Sequence, residues 1–106
     1  MPLYEKRTYQ VGVGKMPDLL KLETQLFAVF EAEGFAKHCV GYFVSDTGPL
    51  HQLVHIWRFD DDKARRDFWK SVYGSQAFMA VAVQIRPLLL SQEVQLMTNA
   101  PFGPQP

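Results

Sequence analysis

The sequence holds one cysteine, Cys39, among 106 residues. An internal disulfide is therefore excluded, which fits a reducing compartment and a cytoplasmic protein. An excess of either charge is also missing: 11 Lys and Arg stand against 11 Asp and Glu. Nucleic acid and anionic membrane surfaces are thus not expected partners. The one basic cluster, Lys63-Ala64-Arg65-Arg66, directly follows Asp60-Asp61-Asp62 and is offset by it. No run approaches the ~20 apolar residues that cross a bilayer. The opening MPLYEKRTYQ lacks the apolar segment of ~7–15 residues found in a signal peptide.

Site motifs are equally scarce. Gly12-Val13-Gly14 precedes a helical pattern, but no third glycine or phosphate-loop lysine follows. There is no Gly-x-Ser-x-Gly elbow, and Asp60 to Asp62 lacks calcium-loop spacing. His51 and His55 lie on a strand pattern, where four residues separate them by roughly 13 Å, too far for one ion. Neither metal nor cofactor is expected.

What is present is enough apolar residue, 47%, for one packed domain. Leu3 to Val11 reads as a strand ended by Gly12 and Gly14. Lys15 to Glu33 reads as a helix with Pro17 in its first turn and Gly34 as its stop. Met16, Leu19, Leu22, Leu26, Val29 and Phe30 make its apolar face. His38 to Ser45 and Leu50 to Phe59 are strands around the turn Asp46-Thr47-Gly48-Pro49. Asp60 or Asp61 caps a helix reaching about Tyr73, with Ala64, Phe68 and Val72 as its stripe. Ser75 caps a third helix, Gln76 to Ile85, and Leu88 to Met97 is the last strand. Residues 1–97 thus form the domain and 98–106 a proline-containing arm.

The order strand, helix, strand, strand, helix, helix, strand is that of a ferredoxin-like α+β sandwich. A four-stranded antiparallel sheet carries its helices on one face. The central hairpin is apolar on both sides: Phe43, Val54 and Ile56 oppose Tyr42, Val44, Leu53 and Trp57. One helix layer covers one face, so the other is expected to meet the same face of a second copy, forming a dimeric barrel. The C-terminal arm folding back over that face is the competing expectation.

Three stretches carry a resemblance: Tyr4 to Leu20 (YEKRTYQVGVGKMPDLL), Gly41 to Asp61 (GYFVSDTGPLHQLVHIWRFDD) and Ala100 to Pro104 (APFGP). They resemble the NIPSNAP family of dimeric α/β-barrel proteins. The resemblance implies a ferredoxin-like fold paired through its sheets and a stand-alone bacterial member. Animal members are mitochondrial and linked to vesicle trafficking. Relatives of the wider fold include cofactor-free monooxygenases.

Pairing Ser45 with Leu50 sets Val40 opposite His55, Tyr42 opposite Leu53 and His38 opposite Trp57. His38, Tyr42, His55 and Trp57 then share one side, which Glu5, Arg7 and Tyr9 can join. Such a group has the make-up of a small-molecule pocket between sheet and helices. Its expected roles are His55 as base or hydrogen-bond donor and Arg7 as anion partner, with Tyr9, His38, Tyr42, Trp57 and Trp69 as further ligand contacts. The bland reading makes His55 a satisfied core histidine, Glu5 with Arg7 a structural ion pair, and Cys39 an inert thiol. The functional alternatives are a non-catalytic interaction module and a cofactor-free, monooxygenase-like enzyme in which His55 is the base.

Overall fold

The computed structural model describes residues 1–106. Its elements are β1 (Leu3–Val11), α1 (Met16–Ala32), β2 (Cys39–Val44), β3 (Gln52–Phe59), α2 (Asp62–Tyr73), α3 (Gln76–Ile85) and β4 (Leu89–Thr98). Single turns of tighter helix, Ala36–His38 and Arg86–Leu88, lead into β2 and β4. The sheet is antiparallel in the order β2-β3-β1-β4. This is the ferredoxin-like α+β sandwich.

Local chemistry explains the helix ends. Gly34 takes φ +80° after α1, where a side chain would be strained. The Asp61 carboxylate accepts from the Ala64 amide at 2.8 Å and starts α2. The Ser75 hydroxyl accepts from the Phe78 amide at 3.2 Å and donates to the Glu33 carboxylate at 2.7 Å. One side chain thereby caps α3 and ties it to the end of α1.

Strand parity sorts the residues. Leu53, His55, Trp57 and Phe59 of β3 are buried beneath the helices, as is Val11 of β1. Trp57, Phe30, Phe68, Trp69 and Phe78 form the centre of the core. The opposite face is open. Phe43 is 54% exposed there, with Val54 and Ile56 half-buried beside it. The Phe43 ring lies over Gly41; a Cβ there would stand 2.9 Å from the ring and displace it. The β1 and β4 rows of this face are polar: Lys6, Thr8 and Gln10 adjoin Gln95, Glu93 and Ser91. The apolar patch is thus confined to the β2–β3 side.

The C-terminal segment returns to this face at one corner. Tyr4 donates its hydroxyl to the Pro106 carbonyl and is buried by that contact. Phe43 stays exposed, so the segment shields part of the face only. The helix layer is also incomplete. Val94 and Leu96, opposite Arg7 and Glu5, face the helices yet remain 52% and 45% exposed.

The hairpin register differs from expectation. Tyr42 pairs with His55, Phe43 with Val54 and Val44 with Leu53, and the Ser45 amide donates to the Gln52 carbonyl at 3.0 Å. The connection runs from Asp46 to His51 rather than closing at Leu50, and His51 takes a left-handed φ of 60°. The slip is two residues, so the side chains from Gly41 to Val44 keep their faces. At the far end a bulge between Cys39 and Gly41 shifts the register, and His38 lies in the preceding helical turn rather than opposite Trp57.

Ser75→Ala removes a cap and an interhelix bond together and should cost about 1–2 kcal/mol in urea unfolding. Ser75→Asp, which keeps a cap but faces Glu33 with a like charge, should recover less than half of that loss.

Candidate functional site

Beneath the helices, β1 and β3 place a polar chain inside aromatic packing. Glu5 is 0% exposed. Its carboxylate accepts from Arg7 Nε at 2.6 Å, Arg65 at 3.0 Å and Trp69 Nε1 at 3.2 Å. Arg65 is steadied in turn by Asp62 at 2.9 Å. The Arg7 guanidinium lies 4.0 Å from the Trp69 ring centroid, a cation–π contact. A fully buried carboxylate is tolerable here because two cations and an indole N–H match it.

Trp57 continues the chain, with its ring 5.6 Å from Trp69. Its indole N–H donates to Nδ1 of His55 at 2.7 Å. That bond fixes the tautomer: an indole only donates, so Nδ1 is the acceptor and Nε2 carries the proton. Nε2 is buried without a partner. Burial, then the positive charge of Arg7, lowers the His55 pKa to about 3. Tyr42 stacks on the imidazole at 4.6 Å, and Tyr9 meets it edge-on at 4.9 Å.

Arg7, Tyr9, Tyr42, His55, Trp57 and Trp69 are thus brought together, but as a packed cluster of which only Tyr42 reaches a cavity. His38 is not among them. It packs on Phe59 and Phe68, and its Nδ1 lies 3.3 Å from the Arg58 carbonyl.

A cavity of about 600 Å³ lies to one side, between α1 and β2. Leu20, Phe27, Ala36, Val40, Val44 and Leu53 supply apolar wall. Tyr42 is the one expected contact residue on it, and it links the cavity to the His55 stack. Tyr42 and Phe27 meet at near right angles, with ring centroids 5.6 Å apart.

Glu23 of α1 also lines the cavity and was not singled out from sequence. It is only 7% exposed, and no hydrogen bond or ion pair within the chain engages its carboxylate. Burial raises its pKa from 4.5 to about 7. The signal was available: Leu19, Glu23, Leu26 and Phe30 are the buried positions of α1 at four-three-four spacing. Glutamate in a helix reads by default as solvent-facing, which hid it. No group of three or more His, Cys, Asp or Glu side chains converges as a metal set.

The two perturbed groups load stability in opposite directions. Between about 6.5 and its folded value, His55 binds a proton when unfolded but not when folded. Its contribution is complete above about 6.5 and is lost as pH falls toward 3. Glu23 does the reverse: its contribution is complete below about 4.5 and is lost as pH rises through 7. Glu23→Gln should therefore stabilise the protein at about pH 8, by as much as about 3 kcal/mol, and by far less at about pH 4. His55→Gln should flatten the acid limb instead. Denaturant unfolding across pH separates the two.

Comparison with known proteins agrees with this architecture. The NIPSNAP family model matches residues 4–104. Protein NipSnap homolog 2 of Danio rerio is 26% identical over 98 residues, 90% of this chain, and that of Homo sapiens 24% over 102 residues, 96% of it. The chain spans about a third of those relatives, 32% and 35% of their lengths. A NIPSNAP family protein of Agrobacterium tumefaciens superposes with a TM-score of 0.88 at 27% identity, covering 96% of this chain and 89% of that one. Another from the same organism, of unknown function, gives 0.80 at 31% identity over 97% and 92%. An antibiotic biosynthesis monooxygenase shares the fold at 20% identity, with a TM-score of 0.66 over 93% and 99%. With the family match running from the first strand to the C-terminal segment, and with this sheet order and helix layer, the chain belongs to the NIPSNAP family.

Proposed function

We propose that the protein binds a small, largely apolar molecule between α1 and β2. The observation that carries this is the cavity of about 600 Å³ with mainly apolar walls and one unpaired carboxyl group, Glu23. A concave apolar site with few polar groups is the usual form of a small-molecule site. Leu20, Val40 and Val44 are exposed at its rim, so a ligand can enter without unfolding the core. His55 and Trp57 support Tyr42 from behind, while Arg7, Tyr9 and Trp69 hold that support in place.

Binding rather than catalysis is the reading taken. The monooxygenase likeness is one of fold, and fold alone does not carry a reaction. The base nitrogen of His55 already accepts from Trp57, and the ring is buried. An interaction module without a ligand is the alternative; the unpaired Glu23 carboxyl group inside the hollow favours a ligand over it.

The reading includes a homodimer through the open sheet face, in the cytoplasm. Phe43 with Val54 and Ile56 is its support: an apolar patch that the C-terminal segment leaves uncovered. No helix is long and apolar enough to cross a membrane.

Thr24, exposed at the cavity mouth, offers a test that spares the core. Thr24→Trp should weaken binding of the neutral fluorophore N-phenyl-1-naphthylamine at least about tenfold with little change in Tm. Equal binding by both forms would remove the ligand from this cavity. Phe43→Asp should convert a species of two-chain mass into one of single-chain mass in sedimentation velocity; a wild-type protein of single-chain mass would refute the dimer.

A further inference from the structure

The Glu23 carboxyl group narrows the chemistry of the occupant, and this step rests on the cavity reading above. Glu23 is the one charged side chain among the cavity-lining residues. The chain gives it no counter-charge: Arg7 and Arg65 are committed to Glu5, while Lys63 and Arg66 pair with Asp67 and Asp62. The nearby groups from the sheet are tyrosines, Tyr9 of β1 and Tyr42 of β2, both kept neutral by burial, which raises their pKa above the ordinary range. Cys39, at the start of β2, is likewise held as the thiol by burial. Helix α3, packed against α1, has no titratable side chain.

A buried carboxylate without a partner is costly, and the structure elsewhere shows how this chain deals with one: Glu5 is fully matched. Glu23 is instead matched only by whatever enters. Phe27 and Tyr42 present aromatic rings to the same space. A carboxylate beside apolar and aromatic walls attracts a cation through the ion pair, while the rings pack against its apolar body. It repels a carboxylate or phosphate, and it offers a neutral alcohol only an ordinary hydrogen bond.

We propose that the cavity takes a lipophilic amine, its ammonium paired with Glu23 and its aromatic or alkyl body against Phe27, Tyr42 and Leu53. The ligand supplies the positive charge that the fold withholds from this one acidic side chain.

Three phenylalkyl probes of similar size and different charge test this: 2-phenylethylamine, 2-phenylethanol and 3-phenylpropionate. Each is titrated into the wild-type protein and Glu23→Gln, with amide shifts in α1 and β2 followed by NMR. At about pH 8 the amine should bind at least about tenfold more tightly than the alcohol, and the acid weakest. Near pH 5, where Glu23 is protonated, the preference should collapse. In Glu23→Gln the amine should lose its advantage while alcohol affinity stays within about twofold. Alcohol binding equal to amine binding, or an amine preference that survives Glu23→Gln, overturns the ammonium assignment but leaves the cavity reading standing. No binding by any of the three overturns both.

Discussion

The Glu5 carboxylate sits beneath the helices with no exposure, and it is held by groups from two layers. Arg7 comes from its own strand; Arg65 and Trp69 come from α2. The acid therefore fixes where α2 lies on the sheet and how the Trp69 ring is turned. Trp69 meets Trp57, Trp57 donates to His55, and His55 carries the Tyr42 ring on its face. The cavity wall at Tyr42 is the far end of a line of contacts that starts at a buried charge. Apolar packing alone would leave these rings freer to exchange neighbours, since hydrophobic burial has no direction.

The two buried glutamates are a contrast within one domain. Glu5 has its full set of donors and behaves as structure. Glu23 has none, lies on a cavity, and is held near neutrality by desolvation rather than by a partner. Groups displaced from their ordinary titration range without a structural reason gather at functional sites. His55 differs from both: burial, then Arg7, lowers its pKa, its ring packs against Tyr42 and Tyr9, and its Nε2 has no partner.

Much of the fold was legible because its punctuation is local. Gly34, Asp61 and Ser75 stop or start helices through conformational freedom or a capping oxygen, and neither needs tertiary context. Period two grouped Leu53, His55 and Trp57 on one face of β3 and Val54 and Ile56 on the other, but which face meets the helices was not legible, because both are apolar. Nor was the hairpin register, since Gly48-Pro49 marks a turn without saying how many residues it takes. His38 was drawn into a strand because a single helical turn has no periodicity to read. The polar rows of Lys6, Thr8 and Gln10 against Ser91, Glu93 and Gln95 were missed because the hairpin was taken to stand for the whole open face. Arg7, Tyr9, Tyr42, His55, Trp57 and Trp69 do meet, yet the hollow lies beside them. Whether clustered rings enclose space or fill it depends on side-chain volumes that a pairing diagram does not contain.

The connection between β2 and β3 has an arithmetic consequence for how the family can drift. Its ends meet at Ser45 and Gln52, and the two strands must present Tyr42 and His55 inward together. Adding or deleting two residues of strand pairing there preserves the inward set, as the difference between the expected and observed registers demonstrates. Slipping by one exchanges Tyr42 with Phe43 and turns the aromatic support of the cavity toward the outside. Length variation at this hairpin should therefore be tolerated in pairs, and a relative with an odd change needs a compensating bulge of the kind already present at Val40.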